Sequence, residues 1–432
     1  MAPPPSPDLG ARIDLFLRNE TEQPMEFSAE RPPLFDGKSP ADWIDSGHWA
    51  WHDTPAARPD TQLLLPPGAL TVWSVNTRLN SWGVDTTHRL QVNGAQELEF
   101  SLTQPTAWLS AVTFLSRTGT TIPDQVVIHV ANQGTGELRL KGIRLWTPDT
   151  PGQFQILRPG PLVTDFASQP VDRIVPAAEH AMITAQVGPL PLSYAAVELQ
   201  VASLTEDLPS LWGYLRVKRE VFDISGGWIA DTIRGQNTLT MVPYLKTLSR
   251  MHINTGQIEE VAGYTDQPDL YRQYPMKRFN RMAAFDRYDR DEMLPTIHAI
   301  EFLGEPQYGG GKPVPPQKVW QELAPYQATR LHTSLTNSEE RVWRDYAGLS
   351  DYPHYDAYRV TAPAADAWGQ YDRFGGGRIR WGAPLETIGD LTRSLRDLSR
   401  PKPIAYWSQG AHAGWSGYAG RQRGSPTPDE LR

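Results

Sequence analysis

The chain has 432 residues, too many for one small domain, and a net charge of −8 with no long basic run, which argues against nucleic acid or an anionic membrane surface as its main partner. With 0 cysteines it can form no disulfide, no thiolate zinc site and no cysteine nucleophile. Its 15 Trp, 16 Tyr and 12 Phe supply ring surface for sizeable cores, and no stretch approaches the ~20 apolar residues of a membrane helix.

The opening MAPPPSPDLG lacks the basic-then-apolar pattern of a leader. It reads as a start placed downstream of a removed leader, which points to an extracellular or periplasmic setting; a cytoplasmic terminus is the alternative. The Asn19-Glu20-Thr21 sequon is short enough to arise by chance.

The first half predicts β structure. ALTVWSV, HRLQVNG, ELEFSLT, WLSAVTFLSR, QVVIHVANQ and ELRLKGIRLWTP are short, alternating or β-branched runs separated by Gly, Pro, Asn and Thr. Such spacing predicts a β-sandwich of jelly-roll or Ig-like type over residues 1–150. The connector WTPDTPGQF follows, and AMITAQV and YAAVELQVASL predict a small Ig-like β unit or linker over 151–211.

From residue 212 the pattern changes to apolar strands alternating with helical stretches, the mark of βα units on a parallel sheet. EVFDISGG precedes the helical MVPYLKTLSRMH, and NTGQIEEV follows. LPTIHAIEFLG comes before the helix PPQKVWQELAPY, and TRLHTSLTNSE and YPHYDAYRVTA come next. RIRWGAPLE with the helix TIGDLTRSLRDLS, and KPIAYWSQG, close the series. These are about seven candidate strands with polar or acidic ends, as expected of a (β/α)8 TIM barrel whose site lies at the C-terminal strand ends. An open doubly wound sheet competes, but no Gly-rich phosphate turn follows its first strand. The final SPTPDELR reads as an N-capped helix just beginning. A last βα unit is therefore missing from 212–432, and the natural protein is expected to continue.

Residues 297–311, IHAIEFLGEPQYGGG, carry the most specific signal. Strand alternation puts Ile297, Ala299 and Glu301 on one face, with Glu301 near the strand's exit and Glu305 in the loop beyond. Pro306 restricts Glu305 to extended geometry and so fixes its direction. The stretch resembles the Asn-Glu-Pro or Asp-Glu-Pro strand ending of clan-A-like, β-galactosidase-like TIM-barrel glycoside hydrolases with N-terminal β-sandwich domains, where that glutamate is the general acid/base. Gly304 stands where that family has Asn or Asp. A surface glutamate capping a loop is the competing reading of Glu305.

The resemblance covers roughly 212–432 and implies a hydrolase acting on a poly- or oligosaccharide through two carboxylates, one protonating the leaving oxygen and the other attacking or activating water. It implies Glu305 as the acid and Glu386, in RIRWGAPLETIGD, as nucleophile or base; a first-turn helix carboxylate, favoured there by the helix dipole, is the competing reading of Glu386. Asp223 and Glu259 or Glu260 are rivals for that second role, with Asp223 also readable as a turn cap, and Glu301 shapes the subsites. Trp228, Tyr308, Trp381, Trp407, Gln409 and His412 complete the expected substrate contacts, since rings stack on pyranose faces and polar groups bind hydroxyls. In DYPHYDAY, His354 and Asp356 belong to a set with Asp351, Tyr352 and Tyr355 that either binds sugar or forms a buried Tyr–Asp network.

No cofactor and no metal is called for. AGWSGYAG is not Gly-x-Ser-x-Gly, YGGGKP is not a P-loop, FDRYDRDEM lacks the Gly and closing Glu of a calcium loop, and no His-x-His pair is present. The alternatives from other classes are a non-catalytic carbohydrate-binding surface protein and a polysaccharide lyase using Tyr and His.

Overall fold

The computed structural model describes residues 11–28, 34–37, 49–51, 62–77, 87–92, 96–101, 105–116, 123–148, 162–163, 169–190, 194–217, 225–226, 241–256, 269, 273–274, 277–281, 297–301, 305–306, 314–323, 326, 331–337, 343–346, 349–356, 387–407 and 429. The first strands are β1 (Ala11–Arg18), β2 (Met25–Ser28), β3 (Leu34–Phe35), β4 (Trp49–Trp51), β5 (Gln62–Leu65), β6 (Leu70–Thr77), β7 (Thr87–Val92) and β8 (Gln96–Ser101). All their pairings are antiparallel: β1 and β4 on β6, β2 on β5, and β3 and β8 on β7. Asn19, at the end of β1, is buried, and its Nδ2 donates to the carbonyls of Gln23 (2.8 Å) and Leu65 (2.9 Å). The sequon asparagine is thus a turn-former whose amide is committed inside the fold.

The next strands are β9 (Ala107–Leu115), β10 (Gln125–Asn132), β11 (Leu138–Pro148), β12 (Leu162–Val163), β13 (Gln169–Val175), β14 (His180–Gln186), β15 (Tyr194–Ala202) and β16 (Asp207–Arg216). The sheet β14-β10-β9 packs on β13, β11, β15 and β16 around one apolar core that runs from Ala107 to Val217. Strands from both sides of the connector near residue 150 contribute to it.

Sequence sets the register here. In β14, Ala181, Ile183 and Ala185 are buried while His180, Met182 and Thr184 are exposed, a clean period of two. In β9 the alternation breaks, because Leu109 and Val112 both face the core although they are three residues apart. The pairing shifts there, from His129–Ala111 to Val130–Leu109, and Ser110 is bulged, its hydroxyl donating to the His129 carbonyl at 3.1 Å. β15 is buried on both faces for another reason. Ala195, Val197, Leu199 and Val201 enter the sandwich core, while Tyr194 and Ala196 pack with Leu70, Val72, Trp146 and Tyr214. β12 bridges β11 to β6 and merges both regions into an eight-stranded sheet.

The second half holds β17 (Ser225–Gly226), α1 (Met241–Arg250), β18 (Thr255–Gly256), β19 (Lys277–Arg281), β20 (Ile297–Glu301), α2 (Pro316–Leu323), β21 (His332–Asn337), α3 (Trp343–Tyr346), β22 (Tyr352–Asp356), α4 (Thr387–Ser399) and β23 (Ala405–Trp407). The seven strands form one sheet in strict chain order, and every adjacent pair is parallel. A doubly wound sheet would reverse order at a switch point, and no reversal occurs among the described strands. The helices cover this sheet through spaced apolar stripes. In α2, which opens on Pro316 where a missing N–H costs nothing, Val319 and Leu323 meet Leu335, Tyr346 and Leu349. In α4, Ile388, Leu391, Leu395 and Leu398 pack on Trp343 and Tyr355. No helix among the described residues is long and apolar enough to cross a membrane.

The sandwich underlies the N-terminal ends of these strands. Pro401, four residues before β23, accepts the Val112 amide at 3.4 Å, the Arg400 guanidinium lies 5.0 Å over the Trp108 ring, and Lys402 donates to the Ser350 carbonyl at 3.1 Å. Gly213 in β16 lets the backbone approach so closely that a Cβ there would lie 2.6 Å from Pro401 Cγ. Gly213→Ala is therefore expected to destabilise the protein by about 1–3 kcal/mol through overpacking. Thermal unfolding of the purified variant measures this, and an unchanged midpoint would refute the contact.

Candidate functional site

The C-terminal ends of β20, β21 and β22 bring polar side chains together. Glu301, the last residue of β20, is half-buried and accepts a hydrogen bond from the Thr336 hydroxyl at 3.2 Å. Thr336 also lies 3.3 Å from His354 Nδ1, and Thr336 and His354 are paired positions of β21 and β22. Asn337 closes β21 and donates its Nδ2 to the His354 carbonyl at 2.9 Å, pinning the two strand ends together. The Tyr352 ring stands edge-on to His354 at 5.3 Å and to His298 at 5.6 Å. Ser334, the paired position of Glu301 on β21, is buried, and its hydroxyl has no hydrogen-bond partner among the described residues.

Glu305 lies four residues beyond the end of β20 and is half-buried, followed by the buried Pro306. The Pro306 carbonyl accepts the Val314 amide at 2.9 Å, and the Val314 carbonyl accepts the Tyr346 hydroxyl at 2.6 Å. Pro306 and Val314 are thus tied to each other and, through Tyr346, to the helix layer. Glu301 closes β20, and Glu305 follows four residues later in the chain. Asp356 and Trp407 are paired positions at the ends of β22 and β23. Glu386, Asp223, Trp228, Glu259, Tyr308, Trp381, Gln409 and His412 lie outside the described residues.

Two members of the DYPHYDAY set have other work. Tyr355 points into the helix layer, where its hydroxyl donates to the Ile388 carbonyl at 3.0 Å and its ring packs on Trp343. Asp351 stands just before β22, at the opposite end of the strands from Glu301, and is fully enclosed. It takes Arg216 Nε at 2.8 Å, the Tyr194 hydroxyl, and the Thr333 amide (3.0 Å) and hydroxyl (3.1 Å). For Asp351 the buried Tyr–Asp network is the reading that holds. Burial by itself would raise its pKa. Arg216, Lys402, the Tyr194 hydroxyl and His332 outweigh that and hold the carboxyl well below the usual range. Burial pushes the Tyr194 hydroxyl well above its ordinary value, so it stays a donor.

Thr336 and Asn337 are the site residues that sequence reasoning passed over. Their only signal is position, two hydrogen-bonding side chains closing the run HTSLTN at a strand's C-terminal end. Among the described residues no group of three or more His, Asp or Glu side chains converges as a metal site requires. In chemical terms Glu301, the Thr336 hydroxyl and the His354 imidazole form one connected set that binds hydroxyl groups and can move a proton.

No family model and no curated protein matches this chain. The solved structures it is similar to include a GH2 beta-galacturonidase from Eisenbergiella tayi bound to galacturonate, at 13% identity and TM-score 0.28 over 94% of this chain and 75% of that one. A beta-glucuronidase from Ruminococcus gnavus in complex with D-glucaro 1,5-lactone gives 11% identity and TM-score 0.28 over 94% and 75%. Bacteroides uniformis beta-glucuronidase 2, covalently bound to cyclophellitol-6-carboxylate aziridine, gives 9% and 0.28, and the chain spans 54% of its length. These neighbours are glycoside hydrolases.

Proposed function

We propose that the protein is a glycoside hydrolase acting on a poly- or oligosaccharide, with the parallel strands forming a (β/α)8-type barrel and the substrate lying across their C-terminal ends. The observation that carries this reading is the pair Glu301 and Glu305 at the exit of β20, the fourth of seven parallel strands in chain order. Sites on parallel sheets gather at that end of the strands. Glu305 serves as general acid, held half-buried and directed by Pro306. Glu386, immediately ahead of α4 in the sequence, serves as the second carboxylate, and Asp356, Trp407 and the aromatic and polar residues of the neighbouring loops contact sugar.

The sandwich of residues 107–217 acts as the platform under the opposite strand ends, and the reading includes a saccharide partner and an extracellular or periplasmic setting. The test is hydrolysis of a panel of aryl glycosides and polysaccharides by the full chain, with Glu305→Gln as the control. Release of reducing ends by the parent protein and its loss in the variant support the proposal; equal release by both removes it.

A further inference from the structure

We propose that Glu301, Thr336 and His354 form one hydrogen-bonded relay, in which Glu301 positions substrate hydroxyls and is not the second carboxylate of the acid/base pair. The relay spans three neighbouring strands, His354 on β22, Thr336 on β21 and Glu301 on β20. Its direction follows from counting protons. A threonine hydroxyl has one hydrogen to give, and a carboxylate can only accept. With the hydrogen directed to Glu301 Oε1 at 3.2 Å, the contact of 3.3 Å to His354 requires that Nδ1 carry a proton and donate. His354 is therefore the Nδ1–H tautomer, fixed by the hydroxyl beside it.

The surroundings make the relay rigid. Thr336 and His354 are both buried, the Tyr352 ring stands edge-on to the imidazole at 5.3 Å, and Asn337 ties its own strand end to the His354 carbonyl at 2.9 Å. Glu301 is the member that reaches the strand exit and stays half-buried. One of its oxygens is held by a fixed donor, which sets the plane in which the carboxylate accepts further hydrogen bonds. Such a group suits a ligand with vicinal hydroxyls, since hydrogen bonds to a carboxylate are strong and directional. Glu301 and Thr336 are thus positioning residues.

This role rests on the saccharide reading of the site, so two readouts separate them. In protein labelled with 15N-histidine, the His354 resonance, assigned through His354→Gln, should show the Nδ1–H tautomer in the parent and in Thr336→Ser. Thr336→Val removes the acceptor and should convert or mix the tautomers. With the best substrate of the panel, Thr336→Val and Glu301→Gln should raise KM about tenfold, the loss of one hydrogen bond to a charged group, with a smaller change in kcat. Thr336→Ser should restore the parent KM. The relay is overturned if Thr336→Val leaves the His354 tautomer unmoved. The positioning role is overturned if Glu301→Gln lowers kcat as far as Glu305→Gln does at constant KM. Unchanged turnover in Glu305→Gln would remove the hydrolase reading while the tautomer experiment still decides the relay.

Discussion

Asp351→Leu is expected to destabilise the protein by about 5 kcal/mol, and Arg216→Met by about 3 kcal/mol, the upper and lower parts of the range for breaking a buried ion pair. The order follows from what each change leaves behind. Arg216 and Asp351 are both 2% exposed at the side chain and meet at 2.8 Å. Without Asp351, the guanidinium loses its counter-charge, faces neutral groups such as the Tyr194 hydroxyl (3.3 Å) and the Tyr326 carbonyl (3.2 Å), and cannot shed its own charge. The same change strips the Thr333 amide of its acceptor. Without Arg216, Asp351 still receives three donors and the nearby charge of Lys402, and it can take up a proton if the site demands it.

Because the pair joins β16 of the sandwich to the N-terminal ends of β21 and β22, its loss should also split the unfolding transition, with sandwich and parallel sheet melting separately. Differential scanning calorimetry of the two variants measures both effects; a single unshifted transition in Asp351→Leu would refute the coupling.

The same network sets a pH dependence. Asp351 titrates in the folded chain well below its unfolded value, so the unfolded state binds the proton first on acidification. The stability it contributes is complete above about pH 4–5 and is lost progressively as pH falls below the unfolded carboxylate value. Tyr194 is shifted the other way, with its folded value raised, so its contribution is complete below about pH 10 and is lost as pH rises through the range where unfolded tyrosine ionises. Urea midpoints across pH should fall at both extremes, and Arg216→Met should flatten the acid side.

What could be read from the sequence depended on how local each cause is. The alternation of AMITAQV and the helical stripe of TIGDLTRSLRDLS are visible within a dozen residues, and the structure has a strand and a helix there. IHAIE, HTSLTN, YPHYD and AYW likewise announce their parallel strands. β19 was not legible, because KRFNR carries three cations around one phenylalanine and owes its conformation to pairing with β18 and β20. The Arg216–Asp351 pair joins residues 135 positions apart, and no periodicity marks such a contact. Asn19 shows the reverse: a sequon is a local pattern, yet the buried amide that decides its meaning bonds to Leu65, 46 residues away. At the site, Glu301 and Glu305 were legible because strand alternation and a following proline act locally. Thr336 and Asn337 gain their meaning only when three strands align.

Glu305→Gln is expected to lower turnover of an unactivated glycoside by about 10²–10⁴-fold, the usual contribution of a positioned general acid. Glutamine keeps the size and hydrogen-bonding shape of the side chain but cannot deliver a proton to the departing oxygen. The deficit should therefore depend on the leaving group. A nitrophenyl glycoside departs as a stable phenolate and needs little protonation, so the variant should retain far more of the parent rate on it than on an alkyl glycoside or an oligosaccharide. A residue that merely holds the loop would slow both substrates alike, because misplacement does not sense the basicity of the departing group. The half-buried setting of Glu305 predicts that the substitution, which keeps the side chain's size, leaves the melting temperature close to that of the parent. Rates on the paired substrates, with a melting curve alongside, decide the matter: a deficit equal on both would place Glu305 outside the chemistry.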